Sequence, residues 1–221
     1  MSRLILLFIL LFSQCESSTQ RYIDLCEKNN VKSSELISQF YMDNDTLHLD
    51  SALIYIDEIY QKCDDLKGLL SLRKLSIYSM KKDYSKALLF INTFNDGFFG
   101  DLTYFKNFLL NRFNAMRFQD IGDLKKRNDY LKFIVNDLEG FLVSNEGKVN
   151  SLFKLSDVEE ILRNPISTPV IQYYYYKAML EGTERTEAKL KLREKTKGGN
   201  KEFYEFIKTT FQEDFMIYIG F

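Results

Sequence analysis

The chain has 221 residues, a formal net charge of −1 at pH 7, and a composition that is 45% hydrophobic and 15% aromatic. A chain this apolar can bury a real core, which excludes an intrinsically disordered protein. A net charge near zero argues against a nucleic-acid-binding protein, because such proteins carry a dominant basic field.

The N-terminal stretch has the pattern of a signal peptide. Arg3 precedes an uninterrupted apolar run from Leu4 to Phe12. This run is too short to cross a hydrocarbon core of roughly 30 Å as a helix, but it fits the apolar region of a signal peptide. We therefore expect residues 1–15 to be a signal peptide that ends at Cys15 and takes no part in the fold.

Cys15 follows the apolar run, and polar residues 16–20 come directly after it. This arrangement resembles the signal of bacterial lipoproteins, in which the cysteine is lipidated and becomes the new N-terminus. The resemblance implies export to the cell envelope, periplasmic or surface, with a membrane anchor through a lipid on Cys15. Ordinary secretion after cleavage at Ser17 and an uncleaved anchor are the alternatives.

Residues 16–32 are expected to form a tether and a short first helix, Gln20–Lys28, and a second helix is predicted over Ser33–Met42. Cys26 and Cys63 are the thiols left after processing at Cys15. In an oxidising compartment the two could pair. They could equally remain free and behave as small buried apolar residues.

A twelve-residue pattern then occurs twice. Leu49–Tyr60 returns 35 residues later as Tyr84–Asn95, and Ala52 of the first copy matches Ala87 of the second. A fixed period of this size indicates stacked helix–turn–helix repeats. Between the copies, Leu66–Met80 places apolar residues at helical spacing.

The segment between the copies also carries a family resemblance. Tyr78 stands late in the first helix, and Asp83 and Tyr84 occupy the turn before the second. This pattern is similar to the tetratricopeptide repeat (TPR), although Lys82 stands where that family has a glycine. The resemblance covers residues 36–95 and implies an all-α fold of stacked antiparallel helix hairpins, a TPR-like α-solenoid.

We predict a single helical-repeat domain over residues 33–221, with degenerate hairpins over residues 101–221. Asp101–Phe118 and Leu124–Val143 are predicted to form one of these hairpins. Ser144–Asn150 reads as a polar loop.

Four helices are predicted in the remainder of the chain. Ser156 and Glu159 have the spacing of a capping box at the start of the first of them. The next begins at Thr168, where Pro169 suits the first helical position. The last pair is predicted over Thr183–Lys195 and Lys201–Phe211.

Two local features stand out in this C-terminal part. Tyr173–Tyr176 are four consecutive aromatic residues, which must point around the whole circumference of a helix. They suit a protein partner or a sugar ring, or else three of them belong to the core. The second feature is a basic run, which could meet an acidic partner or anionic lipid, or could be a solvated helix end. It consists of Lys189, Lys191, Arg193, Lys195 and Lys197.

The sequence shows no catalytic or metal-binding motif. His48 is the only histidine, and GxSxG, HExxH, CxxC and a glycine-rich phosphate loop are all missing from the sequence. We therefore predict a non-enzymatic protein with no metal, no cofactor and no nucleic-acid partner. An enzyme would need a carboxylate site formed only by the fold.

The predicted function is protein–protein interaction in the cell envelope, with an unknown protein or peptide as the partner. The alternatives are an immunity-type lipoprotein that neutralises a toxin and a carbohydrate-binding envelope lipoprotein. In the resembling family the first helices of the hairpins line the concave binding face. That resemblance implies these partner-binding residues: Arg73, Lys74, Tyr78, Asn107, Asn111 and Arg112.

Overall fold

The computed structural model describes residues 24–95, 98 and 104–213. Every regular element in these ranges is helical, which confirms the all-α prediction. The predicted signal and Cys15 lie outside the described residues. Among the helices that are described, none is both long enough and apolar enough to cross a membrane.

The chain divides into two compact units, with the boundary between Ile77 and Tyr78. We call the part up to Ile77 unit 1 and the part from Tyr78 onwards unit 2. The boundary lies inside the predicted repeat region, residues 36–95, so the two copies of the repeated pattern belong to different units. Ala52 is fully buried in unit 1, and Ala87 is fully buried in unit 2.

In the described part of unit 1, residues 24–43 form one continuous helix, α1, where two short helices were predicted. The polar residues near the predicted break have hydrogen-bond partners within unit 1. Ser33 is buried, and its hydroxyl donates to the carbonyl of Asn30 at 2.9 Å instead of capping a new helix. Asn29 is also buried and donates to the Glu58 carboxylate at 3.0 Å.

The remainder of unit 1 contains α2 (Thr46–Tyr60) and the part of α3 (Lys67–Met80) up to Ile77, and a short 3-10 turn, Asp64–Leu66, connects the two helices. Asp45 caps α2 by accepting from the Leu47 amide at 2.9 Å, as its residue type predicts. A disulfide joins Cys26 to Cys63 with a Cα–Cα distance of 6.2 Å. The apolar core of unit 1 is Cys26, Leu36, Leu49, Ala52, Ile56, Ile59, Cys63, Leu70, Leu75 and Ile77.

Unit 2 contains eight further described helices, of which α5 packs on α6, α6 on α9, and α9 on α10. Their bounds are α4 (Tyr84–Asn92), α5 (Phe105–Asp120), α6 (Leu124–Ser144), α7 (Glu146–Lys154), α8 (Val158–Arg163), α9 (Ser167–Glu181), α10 (Thr183–Lys197) and α11 (Lys201–Thr209).

Two connections in unit 2 have the same construction. In the α3–α4 turn the Asp83 amide donates to the carbonyl five residues earlier at 2.8 Å, and in the α5–α6 turn the Asp123 amide does so at 2.9 Å. The residue before each aspartate has a positive φ, 54° at Lys82 and 77° at Gly122. Each aspartate then caps the next helix. Lys82 therefore adopts the left-handed conformation that usually selects glycine.

The predicted polar loop over Ser144–Asn150 is wrong, because α7 begins at Glu146. Asn145 interrupts the helix for one residue only, and its side chain donates to the Phe141 carbonyl at 2.9 Å. The buried face of α7 consists of Val149, Leu152 and Phe153, which lie mostly beyond the predicted loop.

The start of α8 also differs from the capping box predicted at Ser156 and Glu159. Asp157 is the N-cap, and its carboxylate accepts from the Glu159 amide at 2.8 Å. A carboxylate caps as well as a hydroxyl does, so Asp157 takes the role that was predicted for Ser156.

Candidate cleft in unit 2

Two adjoining cavities lie between α6, α7, α9 and α10 of unit 2. The first, about 250 Å³, we call the apolar cavity; its apolar lining is Leu142, Val143, Val149, Val170, Tyr173 and Tyr174. The second, about 240 Å³, we call the basic cavity; Lys154, Lys197 and Gly198 line it. Asn150, Phe153 and Arg193 line both cavities. We call the two together the cleft.

Arg193 forms the centre of the wall between the cavities. Its guanidinium carbon lies 4.2 Å from the centroid of the Phe153 ring, a cation–π contact. Nη2 donates to the Asn150 side-chain oxygen at 2.9 Å. Nε is buried and has no hydrogen-bond partner in the part of the chain that the structure describes. The guanidinium is therefore fixed in place without using all of its donors.

A glycine turn holds α7 against the end of α10. Gly199 has φ 131°, and a Cβ there would lie 2.8 Å from the Phe153 carbonyl oxygen. The next residue, Asn200, donates its amide to that same oxygen at 2.7 Å and its side chain to the Leu155 carbonyl at 3.1 Å. Only glycine permits this close approach, so the turn sets the width of the cleft beside Phe153.

The four consecutive tyrosines divide into two pairs. Tyr175 and Tyr176 are buried: the Tyr175 hydroxyl donates to the Glu213 carbonyl at 3.1 Å, and Tyr176 accepts from Arg112 Nε at 3.1 Å. Tyr173 and Tyr174 are half-buried and line the apolar cavity. Two of the four tyrosines therefore belong to the core, and the other two line the cleft.

Charged neighbours hold the polar atoms of the apolar cavity. The Tyr173 hydroxyl donates to the Glu139 carboxylate at 2.9 Å, and Lys177 lies 3.6 Å from the same carboxylate. Burial raises the pKa of Tyr173, and the hydrogen bond to Glu139 raises it further. Burial raises the pKa of Tyr174 to about 12. Both phenols are therefore neutral and able to donate at physiological pH.

The basic run on α10 has one ordered face. Lys189, Arg193 and Lys197 stand four residues apart, which places them on the same side of the helix. Lys197 lies 2.9 Å from Glu146 of α7, and this hydrogen bond lowers the pKa of that carboxyl. Lys191 is exposed elsewhere on the helix. The interpretation as a solvated helix end thus holds for only part of the run.

The predicted binding residues of unit 1 already have partners. Arg73 Nη1 donates to the Asn30 side-chain oxygen at 2.6 Å and to the Ser33 hydroxyl at 3.0 Å. Lys74 Nζ lies 2.5 Å from the Asp57 carboxylate. These contacts link the helices of unit 1, so both side chains have a structural use in unit 1 itself.

Two of the four predicted binding residues of unit 2 are buried. Tyr78 is buried, and Arg112 is only 2% exposed, with Nε bonded to Tyr176. Asn111 is half-buried, and Asn107 is exposed. A partner could touch Asn107 directly, whereas Tyr78 and Arg112 would have to leave the core first. Helical position alone could not distinguish these cases.

The only histidine of the sequence, His48, pairs with one carboxylate among the residues that the structure describes. His48 Nε2 lies 2.9 Å from the Asp43 carboxylate near the start of α2, where both groups reach solvent. No group of three or more His, Cys, Asp or Glu side chains among the described residues could hold a metal ion.

Comparison of the chain with protein-family models, with curated proteins and with solved structures finds no match. The sequence singled out Tyr173, Tyr174 and Arg193, but it missed Asn150 and Phe153, because α7 was placed largely in a loop. The three-to-four spacing of Val149, Leu152 and Phe153 is the signal that could have identified this helix.

Proposed function

We propose that this chain is an exported, non-enzymatic interaction protein of the cell envelope. A lipid on Cys15 holds it at a membrane, and the cleft of unit 2 binds a protein partner. The observation that carries partner binding is the convergence of Tyr173, Tyr174 and Arg193 on one cleft. Tyrosine and arginine are enriched among the residues that dominate interface energies.

The rigidity of the cleft favours binding as well. Tyr173 is fixed by Glu139, and Arg193 is fixed by Asn150 and Phe153. Side chains that are already ordered lose little conformational entropy when a partner arrives, so more of the contact energy remains as affinity.

Export is supported by a second observation, the disulfide between Cys26 and Cys63. Disulfides persist in oxidising compartments and are rare in the cytosol of mesophiles. This pairing fits a chain that is exported by a cleaved signal, the role proposed for the residues that precede Cys15.

A capture experiment tests the binding surface. Purified protein is incubated with envelope extract, crosslinked, and compared with a Tyr174→Ala variant. We expect the variant to capture its partner at least tenfold less well, which corresponds to about 1.4 kcal/mol. Tyr41→Ala is the matched control, because it removes an exposed tyrosine of unit 1 that is distant in sequence from the cleft residues. Melting curves verify that both variants fold.

The outcome that contradicts the cleft is equally concrete. If Asn107→Ala abolishes capture while Tyr174→Ala leaves it intact, the partner binds the helix face that the family resemblance implies.

Cys15→Ser tests the membrane anchor. We expect the variant to lose incorporation of a radiolabelled fatty acid and to leave the membrane fraction, because each buried CH₂ of an acyl chain contributes about 0.8 kcal/mol. Recovery of the wild-type protein in the soluble extract, with an N-terminus beyond Cys15, would disprove lipidation.

A carbohydrate-binding envelope lipoprotein is the second candidate. It is favoured by the two tyrosine rings beside Glu139 and Asn150, since aromatic faces and polar side chains together suit a sugar. An immunity-type protein falls within the first proposal, with a toxin as the partner. A screen of soluble glycans against the purified protein separates the sugar from a protein partner.

A further inference from the structure

The cleft combines an apolar cavity and a basic cavity that share one wall. Aliphatic and aromatic side chains line the apolar cavity, and lysines line the basic cavity. Because Phe153 and Arg193 belong to both, an apolar group bound on one side lies close to a polar group bound on the other. One ligand residue, or two adjacent residues, can therefore occupy both cavities.

The basic cavity carries an excess of positive charge. Its lining includes Lys154, Arg193 and Lys197, and Glu146 pairs with Lys197 at 2.9 Å. Neither Lys154 nor Arg193 forms an ion pair within the described ranges of the chain. The one other carboxylate of the cleft, Glu139, is engaged by Tyr173 and Lys177. Lys154 is thus available to an incoming anion, and so are the unused donors of Arg193, whose charge also acts on Glu146.

Arg193 has the geometry that a carboxylate requires. A guanidinium has five N–H donors and can donate two parallel hydrogen bonds to one carboxylate. Arg193 donates from Nη2 to Asn150 and also hydrogen-bonds the Tyr204 hydroxyl, while Nε has no acceptor among the residues described. An arriving carboxylate can therefore be bound without breaking an existing ion pair.

We propose that the cleft recognises an acidic peptide segment in which a bulky apolar side chain stands next to a carboxylate. This inference rests on the proposed function, since it names the chemistry of the partner segment. The apolar side chain occupies the apolar cavity beside Tyr174, and the carboxylate accepts from Arg193 and Lys154. An Asp or Glu side chain and the end of a chain both supply that carboxylate.

Size and charge favour this ligand over others. The apolar cavity, about 250 Å³, is just below the roughly 300–1,000 Å³ of sites for whole small molecules, so it suits one side chain. A neutral sugar leaves the two available cations without a counter-charge. A peptide segment uses both cavities at once.

Calorimetric titration of short peptides into the purified full chain tests the proposal. The probes are the acetylated, amidated hexapeptide Gly-Ser-Phe-Asp-Ser-Gly and its versions with Phe-Asn or Ala-Asp at the centre. We expect the Phe-Asp peptide to bind at least tenfold more tightly than either of the others. A fourth probe, Gly-Ser-Gly-Phe with a free or an amidated C-terminus, shows whether a chain end supplies the carboxylate equally well.

Variants of the protein locate the effect. Arg193→Gln and Lys154→Gln should each reduce the preference for Phe-Asp over Phe-Asn at least threefold. Lys191→Gln is the matched control, because it removes an exposed cation of the same helix, α10, outside the cleft. Lys154→Gln keeps the test decisive if Arg193→Gln disturbs packing on Phe153. Added salt should weaken the Phe-Asp peptide most, since the interaction is charge-assisted.

Two results would overturn the inference. One is equal affinity for the Phe-Asp and Phe-Asn probes in the wild-type protein. The other is binding of chitotriose that is lost in Tyr174→Ala but survives Arg193→Gln and Lys154→Gln, which would assign the cleft to a sugar.

The capture experiment separates this inference from the proposed function. If capture of the envelope partner requires Tyr174 but is unchanged by Lys154→Gln and Arg193→Gln, partner binding stands and acidic recognition fails. If none of the three variants affects capture, the proposed binding surface itself fails.

Discussion

The two units of this protein are stabilised in different ways. Unit 1 has a disulfide and a set of buried polar contacts, in which Arg73 bonds to Asn30 and Ser33 on α1. Unit 2 contains no cysteine and relies on rings: Phe108 stacks on Phe105 at 5.5 Å and meets Tyr176 edge-on at 5.7 Å. The larger unit has enough apolar surface for a core, whereas the smaller unit adds a covalent link.

The difference also separates stability from binding. In unit 1 the arginine and lysine singled out by the sequence are used to join helices. In unit 2, Tyr175, Tyr176 and Arg112 form the core, which leaves Tyr173, Tyr174 and Arg193 for the cleft. A residue type enriched at interfaces therefore indicates a binding surface only after its internal partners are known.

The largest expected effect comes from the aromatic core of unit 2. Phe108→Ala removes a fully buried ring, and we expect a loss of about 3–5 kcal/mol in unfolding free energy. Amide hydrogen exchange followed by mass spectrometry reports the change in each unit separately. Phe133→Ala, at a ring that is 55% exposed, is the control and should change little. Equal loss of protection in unit 1 would show that the two units unfold together and would end the comparison.

The next effect concerns the covalent link of unit 1. Replacing both Cys26 and Cys63 by Ser should lower the unfolding free energy by about 2–4 kcal/mol, because the denatured chain regains the freedom that the crosslink removed. Denaturant titration with and without dithiothreitol measures it. The double variant should not respond to the reductant, and a wild type that also fails to respond would show that the bond contributes nothing.

The repeated alanines allow one test in each unit. Ala52→Leu and Ala87→Leu insert bulk at fully buried positions, and we expect each to cost about 1–3 kcal/mol through overpacking. Exposed Ile54 and Leu89 on the same helices provide controls when changed to Ala. A cost at Ala87 with none at Ala52 would mean that the two copies have lost structural equivalence.

The smallest expected effect lies in the two similar turns of unit 2. Lys82→Gly removes a left-handed conformation that costs a lysine about 1–2 kcal/mol. The gain is reduced because the variant loses an exposed ion pair with Asp120 at 2.5 Å, and because glycine gains freedom in the unfolded chain. We therefore expect a net stabilisation of about 0.5 kcal/mol by thermal melting, against a loss for Gly122→Ala. Destabilisation by Lys82→Gly would show that the ion pair outweighs the strain.

The sequence predicted most of the helices because their apolar faces and end residues are local signals. Leu124–Val143 anticipates α6 within one residue, since Gly122 and Asp123 mark its start. The prediction was wrong where polar side chains that suggest a loop form hydrogen bonds with residues distant in the sequence. Asn29 and Ser33 look like a break in α1, yet partners within unit 1 satisfy them. The start of α7 looks like a loop because its apolar residues come late.

The cleft could be anticipated only in parts. Tyr173–Tyr176 and the basic run around Arg193 were both unusual in composition, and the four-residue spacing on α10 was visible. That these two features line one cleft could not be predicted from the sequence. The contact with α7 is the hydrogen bond between Arg193 and Asn150, which lie 43 positions apart. No periodicity in one segment reports a contact across that separation.

The Cys26–Cys63 bond also has a mechanical consequence. If the chain is pulled from its N-terminal end, as a membrane anchor would pull it, the tension passes from residue 26 directly to residue 63 through the sulfur atoms. The segment between them spans 37 positions, or roughly 120 Å of extended chain. This segment carries none of the tension while the bond is intact. A pulling force therefore cannot detach α2 and most of α1 from unit 1.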